Sequence, residues 1–209
     1  MSADAPARIR LLEAMVGAIW ERSYAATSVD RICELADVRK GSFYHFFKSK
    51  TALAVAALDH LWETESRPNL ERVFHPSLPP LVRFERLIEH GHRRTLEVRE
   101  RFGRVLGCPY FNLGAETAAA EPELAAKVRE ILDAFQKYLE TALREACEAG
   151  LIDLDSPEST ATCLFSMLEG ASTQARIHDD PERVRHLADA FSRVIGAELR
   201  PDLESPIQA

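Results

Sequence analysis

The sequence predicts an all-α fold of about nine helices, and two observations carry that prediction. No stretch of the 209 residues alternates apolar and polar side chains with the period of a strand; apolar residues instead recur three and four apart. The few Gly and Pro residues fall between these periodic runs, where helices end and begin.

A first helix is expected over 7–22, with Ile9, Leu12, Met15, Val16 and Ile19 on one face. Thr27 opens a second, with Asp30 three residues on as a capping-box-like pair, and Val29, Ile32, Cys33, Leu35 and Ala36 as its buried side. Asp37–Val38–Arg39 forms a short turn into the third, which starts at Lys40–Gly41–Ser42. Ser49 caps a fourth helix reaching about Arg67, along which Leu53, Ala57, Leu58, Leu61 and Trp62 face inward. Pro68, Pro76, Pro79 and Pro80 break any helix and mark the clearest boundary. Beyond it a helix runs from Leu81 to about Arg101, with Phe84, Leu87, Ile88 and Leu96 on one side, before Gly107–Cys108–Pro109 interrupts. Pro122 starts a long helix to Ala149 with Gly150 as its C-terminal cap. Ser156–Pro157 starts another to about His178, and Asp180–Pro181 the last, to about Leu199. Pro201 and Pro206 end the chain in a loose tail. No internal repeat is present.

Composition narrows the class. Hydrophobic residues at 46% suffice for a core, and charged residues at 28% fit a soluble chain. No apolar run approaches the roughly 20 residues of a membrane helix, and the N-terminus lacks the pattern of a secretory signal, so the expected location is the cytoplasm without a membrane partner. The four cysteines form no CxxC pair and have no histidines at zinc spacing, which leaves neither a disulfide framework nor a metal site to expect. No cofactor is expected either. Net charge is −7, yet residues 1–62 carry eight Lys/Arg against seven Asp/Glu, with Arg39, Lys40, Lys48 and Lys50 clustered. The acid lies mostly in the remainder, so the composition permits a nucleic-acid-binding end on an acidic body.

Segment 27–47 is a helix, a tight turn and a short second helix, the plan of a helix-turn-helix. The start of the second helix enters a major groove in that motif. Its residue types suit the task. Lys40 and Lys50 can neutralise phosphates, and the Ser42 and Tyr44 hydroxyls reach phosphate or base. Gly41 allows close backbone approach, His45 can meet a base edge, and Phe43 and Phe47 lock the helix to its neighbours. An ordinary helical hairpin with exposed charges is the competing reading of the same pattern.

Residues 8–58 resemble the N-terminal domain of TetR-family regulators. The matching run is Thr27–Ser28–Val29–Asp30–Arg31–Ile32, Ala36–Asp37–Val38, Lys40–Gly41–Ser42–Phe43–Tyr44 and Phe47–Lys48–Ser49–Lys50–Thr51–Ala52–Leu53. Arg39 stands where the family mostly has Ser or Thr, and His45–Phe46 where it often has an aromatic and then His. The resemblance implies that Thr27, Tyr44 and Lys50 grip phosphates, and that Lys40, Ser42 and His45 face the groove, with Arg39 adding a cation. It implies a DNA-binding domain over 1–50 (the motif over 28–47), a connecting helix over 51–67, and a helical-bundle ligand-binding and dimerisation domain over 68–209. It further implies a homodimer, paired through the two C-terminal helices, that binds double-stranded operator DNA as a repressor and answers to a small-molecule inducer.

In the second half, Ala161, Leu164, Phe165, Leu168 and Ala171–Ser172, then Leu187, Phe191, Val194–Ile195 and Leu199, form two stripes. Core packing explains them, and so does pairing across a dimer, which we favour. Segment 107–116 mixes a thiol, aromatics, an amide and a carboxylate, and its Gly107–Cys108 with Asn112–Leu113 resembles a TetR subgroup in which some members sense quinones and α,β-unsaturated carbonyls through this cysteine. Cys108 is thus a reactive thiol or a structural helix-end cysteine. Cys33, Cys147 and Cys163 are assigned to the core. Candidate pocket residues are Trp62, His92, Cys108, Tyr110, Phe111, Asn112 and Phe135, aromatic or apolar surfaces with a few polar groups. His90 and His92, two apart, do not share a helix face. Enzyme motifs are absent: no GxSxG, P-loop, HExxH or glycine-rich nucleotide loop occurs. A helical protein-interaction module without DNA binding remains the alternative; it has no need of Lys40–Tyr44 at a helix start.

Overall fold

The computed structural model describes residues 4–204. Pro206 of the expected tail lies outside them. Ten α-helices occur among these residues: α1 (Asp4–Glu21), α2 (Val29–Leu35), α3 (Lys40–Phe46), α4 (Lys50–Leu61), α5 (Arg67–Val73), α6 (Pro80–Phe102), α7 (Pro109–Thr117), α8 (Pro122–Glu148), α9 (Pro157–His178) and α10 (Leu187–Ile195). A π-helical turn, Trp62–Ser66, joins α4 to α5, and a 3₁₀ turn, Pro181–His186, precedes α10. Two compact units form. One comprises residues 1–67 and 109–132, the other 68–108 and 133–209.

Pro68 does not end the fourth helix as expected. The Arg67 N–H reaches back five residues to the Trp62 carbonyl, so the turn widens just before the proline. A wide turn relieves the clash of the proline ring with the preceding turn, and the helical rod continues to Val73. With α4, this turn and α5 counted as one rod, the number of helices is nine. The last helix departs too: Asp180 caps a 3₁₀ turn by accepting from the Glu182 N–H, and Gly196, at φ 72°, ends α10 before Leu199.

In the first unit, Leu11, Leu12, Met15 and Ile19 of α1 pack with Ile32 and Cys33 of α2, Phe43 of α3 and Leu53, Ala57 and Leu58 of α4, all buried. Leu35, assigned to that core, is instead 48% exposed, and so is much of Ile9. Ser28, not Thr27, caps α2: its Oγ accepts from the Arg31 N–H. Ser49 caps α4 as expected, accepting from Ala52 N–H at 3.0 Å.

In the second unit, the Arg83 guanidinium is 4% exposed and fully engaged. It pairs with Glu145 at 2.7 Å and donates to the Leu78 and Pro76 carbonyls, which fixes the loop after α5. Leu187, Phe191, Ile195 and Leu199 are buried within this unit, so their stripe needs no second chain to cover it. Residues 200–204 are not loose. Arg200 N–H donates to Glu85 and Asp202 N–H to Glu89, both on α6.

Candidate nucleic-acid interface and effector site

The α2–α3 turn is built by backbone geometry. Asp37 takes a left-handed conformation at φ 51°, which lets its N–H reach the Glu34 carbonyl and the Val38 N–H reach the Cys33 carbonyl. Arg10 of α1 then donates to the Ala36 and Asp37 carbonyls at 2.8 and 3.2 Å. Helix α3 lacks a side-chain cap at Arg39, and the Arg39 carbonyl alone starts the ladder. Phe43 is completely buried and packs against Phe47 with ring centres 6.1 Å apart and planes tilted by 49°. The anchored inner face leaves Arg39, Lys40, Gly41, Ser42, Tyr44 and His45 together on the exposed face. Tyr44 is 55% exposed. Lys40 forms an exposed ion pair with Asp30 at 2.7 Å; that hydrogen bond first, and the Asp30 charge second, hold its pKa above the usual lysine value.

Thr27 and Lys50 stand apart from this face. Thr27 is 3% exposed, and its hydroxyl donates to the Ser23 carbonyl at 2.8 Å. Lys50 Nζ donates to the Tyr24 and Thr27 carbonyls at 2.9 and 3.2 Å and lies 4.0 Å from the Tyr24 ring centre. Both hold the loop before α2.

The expected pocket residues divide between the units. In the first, Trp62 and Tyr110 meet edge to face at 6.5 Å, and the Tyr110 hydroxyl bonds Ser66 at 2.8 Å. Phe111 is 38% exposed, and Asn112 is half-buried. In the second, Phe135 packs on Phe165 at 5.2 Å, and His92, buried, bonds Glu182 at 3.3 Å. Burial first, then the charges of Arg94, Arg72 and Arg93, push His90 down to about 4. Cys108 is half-buried, and its thiol lies close enough to the Glu169 carboxyl to lower the carboxyl's pKa. Glu169 is 5% exposed, its Oε2 has no hydrogen-bond partner, and burial pushes its pKa up to about 7 against the lowering effect of the thiol. Cys163, assigned to the core, is exposed with its thiol 3.9 Å from Met167 Sδ. No group of three or more metal-ligating side chains converges among the described residues.

The model of "Bacterial regulatory proteins, tetR family" matches residues 11–57, and that of "Tetracyclin repressor-like, C-terminal domain" matches residues 84–191. The chain belongs to the TetR family. It is a DNA-binding transcriptional regulator and not an enzyme. It is 30% identical to the transcriptional regulator AcuR of Cereibacter sphaeroides over 88% of this chain and 82% of that one. It is 26% identical to the transcriptional repressor DhaR of a Mycobacterium species over 97% of each. The crystal structure of the regulatory protein TetR from Rhodobacter sphaeroides superposes with a TM-score of 0.79 at 29% identity, over 90% of this chain and 98% of that one.

Two residues of this TetR-family regulator were not among the site residues expected from the sequence. Glu116, at the end of α7, accepts from the Ala25 N–H at 2.7 Å, the Tyr24 N–H at 3.0 Å and the Ser23 hydroxyl at 2.9 Å. Burial raises its pKa, but these donors outweigh it and hold the carboxyl below the usual range. The loop that leads into the helix-turn-helix is thereby clamped from α7 as well as from Lys50. Glu169 is the other. Its one sequence signal is position: it falls four residues after Phe165, inside an otherwise apolar stripe.

Proposed function

We propose that this regulator is a repressor that binds a pseudo-palindromic operator as a homodimer and is released by a small-molecule electrophile, a short unsaturated acid or aldehyde or a related compound. The observation that carries the DNA half is the exposed face of α3, where Arg39, Lys40, Gly41, Ser42, Tyr44 and His45 stand clear while Phe43 anchors the opposite side. Lys40, Ser42 and His45 meet the groove, Tyr44 and Arg39 the phosphates. Thr27 and Lys50 act by fixing the loop before α2, and Lys50, with two of its three ammonium donors on carbonyls, keeps the third for a phosphate. Two such helices bind half-sites about 34 Å apart. Residues 1–50 read DNA, 51–67 connect, and 68–209 supply effector binding and dimerisation. The pairing falls on the outward side of α9, where Cys163, Ser166, Gly170 and Ile177 are exposed at helical spacing, together with the outward side of α10. The protein works in the cytoplasm. No helix among the described residues is long and apolar enough to cross a membrane.

Release begins at Cys108. The next residue, Pro109, opens α7, and Glu116 at the other end of α7 holds residues 23–25, directly before α2. An adduct on the thiol therefore pulls on a helix tied to the DNA-binding motif, and α4 shifts with it. Within the unit that holds Cys108, His92 and Phe135 are the candidate contacts for the rest of the inducer; Trp62, Tyr110, Phe111 and Asn112 are the candidates on the first unit. A preference of a few kcal/mol for the non-binding state suffices for release.

The test is a gel-shift titration on the upstream promoter DNA, with and without short unsaturated aldehydes and acids. A salt-sensitive shift, abolished by an electrophile in the wild type but not in Cys108→Ser, is the expected result. Release that proceeds equally in Cys108→Ser would exclude the covalent trigger.

A further inference from the structure

We propose that Glu169 is the proton acceptor for the Cys108 thiol, and that the pair forms a conjugate-addition site selective for uncharged α,β-unsaturated carbonyl compounds. The proposal rests on the electrophile reading above and narrows it.

The geometry is that of a built site. Residues 105–108 lie along one face of α9 and its C-terminal cap. Val105 N–H donates to Asp179 Oδ1 at 2.8 Å. Gly107 turns at φ 70°, where a Cβ would sit 3.5 Å from the Ser172 carbonyl and from Arg176. Cys108 then meets Glu169. Residues 169, 172 and 176 recur at helical spacing, so the thiol is held in register with the carboxyl rather than brushing against it. The left-handed backbone at Gly107 is what makes the turn toward α9 available.

One side of the Glu169 carboxyl engages the thiol, and Oε2 has no hydrogen-bond partner. A buried, unsatisfied carboxyl oxygen costs stability, and buried acids of this kind concentrate where chemistry is done. The thiol that acts on it, Cys108, can lose a proton to it. The groups acting on the carboxyl are its burial and the Cys108 thiol; Arg176 lies two turns farther along α9, against Gly107, and Asp179 is engaged by Val105.

The step balances without a further reactant. The thiol proton passes to a Glu169 oxygen as the sulfur lone pair forms a bond to the β-carbon of the electrophile. The carbon–carbon π pair moves to the α-carbon and carbonyl as an enolate. The α-carbon takes the proton back from the Glu169 acid, which regenerates the carboxylate. Nothing is oxidised or reduced, and the product is a thioether. Selectivity follows from charge: an unsaturated carboxylate brings a second anion against a buried carboxylate, whereas an aldehyde or amide does not.

The experiment follows alkylation of each cysteine in the full-length protein by peptide mass spectrometry, with acrylamide as the neutral probe and acrylate as the anionic one, from pH 5.5 to 9. In the wild type the Cys108 rate with acrylamide rises with an inflection near pH 7, and acrylamide outpaces acrylate at least tenfold beyond their ratio at the thiol of glutathione added as a reference. In Glu169→Gln the inflection near pH 7 disappears, the Cys108 rate at pH 7.5 falls at least tenfold, and the acrylamide preference shrinks, while the fold, read by circular dichroism, is unchanged. Glu169→Asp, which keeps the base, retains part of the rate. Equal Cys108 rates and pH profiles in wild type and Glu169→Gln would overturn the role of Glu169 while leaving the thiol sensor standing. Failure of wild-type Cys108 to react at any pH, while glutathione in the same mixture does, would overturn the electrophile reading itself.

Discussion

Replacing Glu169 by glutamine removes an ionisation that the folded protein resists, and the size of that resistance sets a stability difference that depends on pH. The carboxyl ionises near 7 in the folded chain against an ordinary value of 4.5, because burial penalises the anion more than the Cys108 thiol relieves it. The folded state therefore binds the proton more tightly than the unfolded state. This contribution to stability is fully present below about pH 4.5, is lost as pH rises through about 7, and is flat above. At about 1.4 kcal/mol per pK unit, the loss approaches roughly 3 kcal/mol at pH 8. Glutamine has nearly the same shape and no charge. At pH 5 the variant and wild type should differ little; at pH 8 the variant should be more stable by about 2–3 kcal/mol, or roughly 5–10 °C in melting temperature for a chain of this size. Thermal unfolding at fixed protomer concentration across pH 5–8 measures the difference. A gap between variant and wild type that stays constant across that range would mean that the carboxyl is not held near neutrality by burial, and the reasoning would fail.

Further expectations concern other residues. His90 resists protonation because of burial and then the Arg94, Arg72 and Arg93 charges, so its contribution is present above pH 6.5 and lost as pH falls toward 4; His90→Gln should flatten the acid side of the same stability profile, and an unchanged acid side would refute this. Lys40→Ala should weaken operator binding and lower the slope of log affinity against log salt by about one if Lys40 meets a phosphate, or leave the slope intact and relax base preference if it meets a base. Asp30→Asn frees Lys40 from its ion pair and should tighten DNA binding; weaker binding would show that the pair positions α3 instead. Glu116→Ala removes the clamp on residues 23–25 and should lower operator affinity and blunt release by an electrophile without preventing alkylation of Cys108.

Much of the architecture was legible because it depends on short-range chemistry. Ser49 and Ser156 cap helices as their types suggest, Pro122 opens α8, and Gly150 follows its end at φ 67°. The run from Thr27 to Leu53 carried the family because its turn residues and aromatic anchors are all local. The departures have a common cause in interactions that sequence spacing does not encode. Pro68 reads as a helix breaker, yet a wide turn absorbs it. Thr27 and Lys50 read as phosphate ligands, yet carbonyls of a neighbouring loop engage them. The α10 stripe reads as better suited to a partner than to the core, and tertiary packing within its own unit takes it. Glu169 and Glu116 acquire meaning only through contacts with Cys108 and with residues 23–25, far away in the chain. No periodicity marks such pairs.

If release runs through α7 as proposed, this nine-residue helix also sets how sharply the protein responds. A helix of that length is a stiff strut about 13 Å long, so a tilt of about five degrees at its start sweeps its far end by roughly 1 Å. The Glu116 contacts, at 2.7 to 3.0 Å, cannot stretch by that much and survive as hydrogen bonds. Three bonds that share one carboxylate then break together rather than one by one. On the proposed route the loop before α2 would then be either fastened or let go, and a chemical event too small to rearrange a domain would be converted into a threshold.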